Sequence, residues 1–250
     1  MLTEERKIKI LNIVNERRSV SLVELMKDID ASESTLRRDL TELDSKGLLR
    51  KVRGGATQVK ADFSLYEANV SQKIRKNMEE KRIIARYTAN LINNDDMIYI
   101  DAGTTTERLI DEIVGDLKTI FVTNGINHAK KLIKKGLKTY MIGGQMKATT
   151  EAVVGAGAVR ELQYYNFTKC FMGINGIAVD AGFTTPDPEE AIVKSEAIKR
   201  SYVTYFLADW SKFNKVYACT VADLQSSCIV TDHLPDNKFK EITVVKEVCK

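Results

Sequence analysis

Ile100-Asp101-Ala102-Gly103-Thr104-Thr105-Thr106 decides how the larger part of this chain is read. The stretch follows an apolar run, Met97-Ile98-Tyr99, and precedes Leu109, Ile110, Ile113 and Val114 at helical spacing. That pattern predicts a buried strand, a tight turn and a helix start. A helix start carries unpaired N–H groups and the positive end of a dipole, which suits an anion such as a phosphate. Gly103 lets the backbone come close to a ligand, and Thr104, Thr105 and Thr106 offer hydroxyls. On the turn alone, plain helix capping by the threonines explains the sequence equally well.

The same design recurs further along. Strand candidates are 97–100, 119–122, 138–142, 169–172, 203–207, 216–220, 229–231 and 242–245, with helical patterns at 104–114, 126–135, 156–162 and 188–200. The alternation predicts an α/β domain with a largely parallel sheet, whose ligands bind beyond the carboxyl ends of the strands. Three more loops there are small and polar: Thr123-Asn124-Gly125, Gly143-Gly144 and Gly173-Ile174-Asn175-Gly176. Four such loops in series predict one cleft of backbone amides, hydroxyls and side-chain amides, suited to a sugar phosphate. No G-x-x-x-x-G-K-[ST] and no G-x-G-x-x-G occurs, which disfavours nucleotide triphosphates and dinucleotides. A further run, Asp180 to Ala191, includes Gly182, Thr184 and Pro188, which can open a helix. On that helix Lys194 either reaches an anion or is simply a solvent-facing lysine.

The first 60 residues read differently. Three short helical patterns succeed one another, at about 3–17, from Ser21, and from Ser32 to Gly47. Ser21 with Glu24 forms a capping box ahead of Leu22, Leu25, Met26 and Ile29. The third pattern buries Leu36, Leu40 and Leu43 and stops at Gly47. Its opposite face holds Ser34, Arg38 and Thr41, with Arg37 flanking, a set suited to reading a DNA major groove. Patterns two and three make a helix-turn-helix. Then Leu48 to Ala56 reads as two short strands around a basic Gly-Gly turn, a wing for the phosphate backbone. Lys46 to Lys60 holds Lys46, Arg50, Lys51, Arg53 and Lys60 and no acid. A small protein-binding module is the alternative, but the arginine pair and the acid-free basic wing favour DNA.

Composition excludes several classes. Hydrophobic residues make up 44% and charged residues 29%, ordinary for a globular protein, and the net charge of +4 decides nothing. No apolar run spans a membrane, and the acidic start Thr3-Glu4-Glu5 is unlike a signal peptide. Cys170, Cys219, Cys228 and Cys249 are scattered and form no C-x-x-C, so no metal, cofactor or disulfide framework is expected and a cytoplasmic location fits. The predicted plan is a winged helix-turn-helix over 1–57, a linker over 58–72, and a sensing α/β domain over 73–250. Within that last domain 72–93 reads as one helix, with a solvated charged face over 73–82.

Ala31-Ser32-Glu33-Ser34-Thr35-Leu36-Arg37-Arg38-Asp39-Leu40, then Leu43, Gly47 and Arg53-Gly54-Gly55-Ala56, resembles the winged helix-turn-helix of the DeoR family of bacterial sugar-metabolism regulators. The resemblance implies operator DNA as one partner, contacted by Ser32, Ser34, Thr35, Arg37, Arg38, Thr41, Lys51 and Arg53. It implies a sensor domain similar to ribose-5-phosphate isomerase. The positions matching that domain's motifs are Asp101, Gly103 to Thr106, Thr123, Asn124, Gly143, Gly144, Gly173, Asn175, Gly176, Gly182, Thr184 and Lys194. Asp209-Trp210-Ser211-Lys212-Phe213 matches a further family segment of unassigned role. Asp101-Ala-Gly-Thr-Thr-Thr with Gly182-Phe-Thr-Thr-Pro-Asp-Pro-Glu-Glu-Ala looks most like the fructose-operon repressors, implying fructose 1-phosphate as effector, with tagatose 6-phosphate as runner-up. A homo-oligomer, dimer or tetramer, is expected on repeated half-sites.

An isomerase needs a positioned carboxylate with an acid or base partner. The loop corresponding to the acid-rich one of the isomerases is Gly173 to Gly176 here, and it has no acid. Asp101, Asp187, Glu189 and Glu190 remain as bases, each with a plainer role. No catalytic residue and no enzymatic turnover is expected; activation instead of repression stays open.

Overall fold

The computed structural model describes residues 2–46, 48–58, 62–64, 68–114 and 117–248. Gly47, Lys60 and Cys249, named above, lie outside the described residues, as does part of the 58–72 stretch. Two compact units form, residues 1–60 and 61–250.

The first unit runs α1 (Thr3–Arg17), β1 (Ser19–Ser21), α2 (Leu22–Asp28), α3 (Glu33–Ser45), β2 (Arg50–Val52) and β3 (Gly55–Thr57). Its core joins Ile10 and Val14 of α1 to Leu25 and Ile29, and to Leu36, Leu40 and Leu43 of α3. Met26, counted above as apolar face, is 42% exposed. Ser21 accepts from Glu24 N while Glu24 accepts from Ser21 N, the reciprocal cap that starts α2. The wing gains a third strand: β1 pairs antiparallel with β3, giving the order β1-β3-β2. Glycine is required at 55, where a Cβ would meet the Val20 carbonyl at 2.2 Å.

The second unit begins with β4 (Asp62–Ser64), α4 (Val70–Arg75) and α5 (Met78–Ala89). Then come β5 (Met97–Ile100), α6 (Thr104–Glu112), β6 (Ile120–Thr123), α7 (Ile126–Lys134), β7 (Lys138–Met141), β8 (Gln145–Lys147), β9 (Ala152–Val154), α8 (Gly155–Leu162) and β10 (Phe167–Met172). The rest is β11 (Gly176–Ala178), β12 (Gly182–Thr185), α9 (Pro188–Lys199), β13 (Ser201–Leu207), β14 (Lys215–Tyr217), β15 (Cys219–Ala222), β16 (Cys228–Thr231) and β17 (Val245–Glu247). Seven strands form a parallel sheet in the order β17-β16-β13-β10-β5-β6-β7. One face packs α5, α6 and α7 through Ile84, Leu109, Ile110 and Leu132; the other packs α8 and α9 through Ala158, Leu162, Val193 and Ala197.

From β5 the chain winds outward one way, to β6 and β7. From β10 it winds the other way, to β13, β16 and β17. The order therefore reverses between β5 and β10, and the crevice beyond their carboxyl ends is where such sheets bind ligands.

Two expectations change. The predicted helix over 72–93 is two helices, broken at Asn77, which sits in the left-handed region at φ 51°. The stretch expected to be a plain linker holds β4, which pairs in parallel with β14, and the start of α4.

Candidate functional site

In the first unit, α3 turns its polar face outward. Ser32 caps the helix, accepting from Thr35 N at 3.3 Å, and its hydroxyl contacts those of Ser34 and Thr35. Arg38 is exposed and makes no hydrogen bond or ion pair among the described residues. Arg37 is held by Glu33 at 2.7 Å. Lys51 of the wing donates to Thr41 Oγ1 at 2.7 Å, which ties wing to helix, and Arg53 projects from the turn between β2 and β3. Asp39, the acid next to Arg38 in the chain, is buried against Arg6 at 2.6 Å, so its charge is neutralised away from the outer face. The outer face then offers the hydroxyls of Ser32, Ser34 and Thr41 with Arg37, Arg38, Lys51 and Arg53, and its exposed acid Glu33 is paired with Arg37, a set fit for DNA phosphates and base edges.

The second unit carries a cleft at the reversal point of its sheet. Asp101, Ala102, Gly103, Thr104 and Thr105 form one wall; Gly173, Ile174, Asn175, Glu190 and Lys194 form another. Asp101 Oδ2 accepts from Lys194 Nζ at 2.5 Å and from Gly173 N at 3.1 Å, and Lys194 also donates to Gly173 O at 3.2 Å. This buried pair bolts the β5 loop, the β10 loop and α9 together. Beside it the first turn of α6 opens with the N–H groups of Thr104 and Thr105 outside the intrahelical ladder. The hydroxyls of both threonines make no hydrogen bond among the described residues.

Other sequence-predicted residues brace this wall from behind. Thr106 Oγ1 donates to Asp101 O at 2.6 Å and accepts from Gly103 N at 3.0 Å. His128 Nε2 lies 3.0 Å from Gly103 O, an atom that only accepts, so that nitrogen carries the proton. Burial lowers the His128 pKa, against the pull of Glu107 and Asp101, which keeps the ring neutral. Thr123 Oγ1 donates to Ile100 O at 2.6 Å, and Asn124 Oδ1 accepts from Ala102 N at 2.9 Å. Asn124 Nδ2 also donates to Val153 O of β9 at 3.2 Å; Thr106, Thr123 and Asn124 thus spend their polar atoms bracing the loop and its neighbours and do not line the cleft.

Five further positions also stay outside it. Gly143 donates to Glu161, and Gly144 packs against Val153 and Val154. Gly176 and Thr184 belong to β11 and β12, where the Thr184 hydroxyl accepts from Tyr217 N at 3.0 Å. Gly182, at φ 69°, passes so close to β15 that a Cβ would meet Ala222 O at 2.3 Å. The structure therefore brings together Asp101, Gly103, Thr104, Thr105, Gly173, Asn175 and Lys194.

Three lysines complete the cleft, and none stood out from sequence as a ligand group: Lys73, Lys81 and Lys212. Lys81, expected on a solvated face, is only 4% exposed. Burial brings its pKa down to about 8, helped by the Lys212 charge and opposed by Asp209. Burial also lowers the Lys212 pKa; Asp209 opposes this, and Lys73 adds to it. The break at Asn77 makes the arrangement, because Asn77 Nδ2 donates to Asp209 Oδ1 at 2.7 Å and to Ser211 Oγ at 3.0 Å, drawing the helix start onto the segment that carries Lys212. A signal was present in the sequence: Lys81 falls in register with Ile84, Ala85 and Thr88, the buried stripe of α5.

Among the described residues no group of three or more His, Cys, Asp or Glu is placed to hold a metal, and no helix is long and apolar enough to cross a membrane.

Residues 6–61 match the DeoR-like helix-turn-helix domain and residues 76–233 match the DeoR C terminal sensor domain. A protein of Bacillus subtilis described as an uncharacterized HTH-type transcriptional regulator FruR is 40% identical over 251 residues, 99% of each chain. The lactose phosphotransferase system repressor of Staphylococcus epidermidis is 35% identical over 248 residues, 98% of each chain. Ribose 5-phosphate isomerase A of Methanocaldococcus jannaschii is similar over 55% of each chain, at 12% identity and a TM-score of 0.43, too distant to bear on function. The chain belongs to the DeoR family of transcriptional regulators, with an N-terminal DNA-binding unit and a C-terminal α/β sensor.

Proposed function

On the premise of that family, we propose that the protein represses a sugar-utilisation operon, a fructose operon first, and leaves its operator when a phosphorylated sugar such as fructose 1-phosphate fills the cleft. One observation carries the effector class. Lys81 and Lys212, two cations disfavoured by burial and by each other, share a cleft with the N-terminus of α6. A phosphate relieves both the repulsion and the unpaired N–H groups. Asn175 and the hydroxyls of Thr104 and Thr105 supply donors and acceptors for the sugar. The lactose phosphotransferase system repressor and the regulator FruR among its relatives support a sugar pathway, with tagatose 6-phosphate as the runner-up effector.

Binding without turnover fits the same geometry. Asp101 is committed to Lys194 and Gly173, and Glu190 to Lys147 and Thr150, so each carboxylate in the cleft already has its partners. A homo-oligomer placing two or more winged helices on repeated half-sites completes the reading. The sugar must bind the released arrangement more tightly than the DNA-bound one, or nothing shifts.

The test follows fluorescence anisotropy of the protein on its own promoter DNA at fixed salt, because phosphate contacts make the affinity salt-dependent. Fructose 1-phosphate, fructose 6-phosphate and tagatose 6-phosphate are titrated in parallel. Release by one of them at micromolar concentration is expected; tight DNA binding unmoved by all three would remove the sugar assignment. Arg38→Ala is expected to weaken operator binding about tenfold and relax its specificity. A promoter whose transcription falls when the gene is deleted would replace repression with activation.

A further inference from the structure

Residues 62–75 lie between the two family matches, which end at 61 and resume at 76. They are nonetheless built into the sensor. β4 pairs in parallel with β14, three residues after Lys212 of the cleft. Next, α4 contributes Val70 and Lys73 directly to the cleft lining. The helix is tied there at its start and at its middle. Val70 N donates to Thr149 O at 3.2 Å, in the turn between β8 and β9 whose Thr150 also lines the cleft, and Lys81 donates to the Lys73 carbonyl.

We propose that α4 is part of the effector site: Lys73 contacts the bound phosphorylated sugar, and the segment joining the two units thereby senses occupancy directly. This rests on the reading of the cleft as a sugar-phosphate site. Three facts support the step. Lys73 is half-buried at the cleft and its charge is felt by both Lys81 and Lys212, so an anion held by those two comes within its reach. Its helix is a single short piece ended by Asn77, with no apolar residue buried, so its place depends on the polar ties just named. And in sequence β4 begins four residues after Gln58, the last described residue of the winged unit, so the segment that lines the cleft is also the one that leads to the DNA-binding unit.

The experiment compares Lys73→Gln with Lys76→Gln in the full-length protein. Lys76 has the same charge and lies one residue beyond α4 but does not line the cleft. Calorimetry with fructose 1-phosphate and with tagatose 6-phosphate is expected to show about tenfold weaker binding for Lys73→Gln and less than a twofold change for Lys76→Gln, whose operator affinity in the absence of sugar stays that of the parent. In the parent protein, hydrogen exchange of the peptide covering 68–77 is expected to slow when the sugar is added. Equal weakening by both variants would mean a general charge effect and overturn the contact. Parent-like binding by Lys73→Gln together with unchanged exchange over 68–77 would overturn the proposal while leaving the cleft assignment intact. Failure of the parent to bind either sugar phosphate would overturn the cleft reading and this proposal with it.

Discussion

Two charge clusters line the sensor cleft and handle buried charge in opposite ways. In one, Asp101 and Lys194 are both almost wholly buried and fully paired, with Gly173 taking part from both sides. In the other, Lys81 and Lys212 face like charge, with Asp209 as the acid that offsets them. A buried pair that is already satisfied organises the walls and has little left to offer a ligand. Buried cations short of acid are in the reverse condition: they weaken the empty protein and gain when an anion arrives. The first cluster is scaffold and the second is reader.

The largest expected effect breaks the scaffold. Asp101→Ala leaves Lys194 buried without its partner and should cost about 3–5 kcal/mol of stability, measured by thermal or urea unfolding. Pairing it with Lys194→Met should recover much of that loss; if it does not, the pair is not the organising feature. At the reader cluster the sign reverses. Lys81→Met should leave the unfolding midpoint of the empty protein unchanged or higher, while sugar-phosphate affinity drops about tenfold to a hundredfold by calorimetry. A variant that both unfolded easily and kept its affinity would erase the distinction.

The next prediction sharpens it through pH. The folded pKa of Lys81 is lowered to about 8, whereas the unfolded chain holds that proton to its ordinary value near 10.5. The penalty of burying the charge is therefore present below about pH 8 and is relieved as pH rises from there toward the unfolded value. A bound phosphate raises the folded pKa again, so binding takes up a proton above pH 8. Affinity should then fall about tenfold between pH 8 and 9.5, and Lys81→Met should flatten that slope. The smallest effect concerns the α6 turn. Thr105→Ala removes one hydroxyl but leaves the backbone N–H groups, so a threefold to tenfold blunting of the effector response is expected, with operator affinity intact. If Thr105→Ala released DNA at the same sugar concentration as the parent, the turn would not hold the phosphate.

Much of this was legible because it rests on periodicity. The strand before Asp101 and the helix after it, the Ser21 capping box, and Ser32 leading into α3 all announce themselves locally. Which loops face the cleft was not legible, because loop composition is local and strand order is not. The loops after β6 and β7 look like those after β5 and β10, yet only the latter pair flanks the reversal of the sheet. Asn124 and Thr123 therefore became braces. The lysines were hidden for another reason. Lys73 and Lys81 sit in a stretch of mixed charge that reads as a solvated face, and only the left-handed Asn77, anchored on Asp209 and Ser211, folds that stretch inward. The short strands β8, β9, β11 and β12 are too brief to show alternation.

The pairing of β4 with β14 has a practical consequence for building hybrid regulators. A swap of the DNA-reading unit joined at Gln58 would carry β4 and α4 along with the sensor to which they are hydrogen-bonded. A swap joined at residue 75 would hand both to the foreign half, stripping one strand from the sensor and one wall from its cleft. Graft points for new operator specificities on this scaffold therefore belong immediately after the wing.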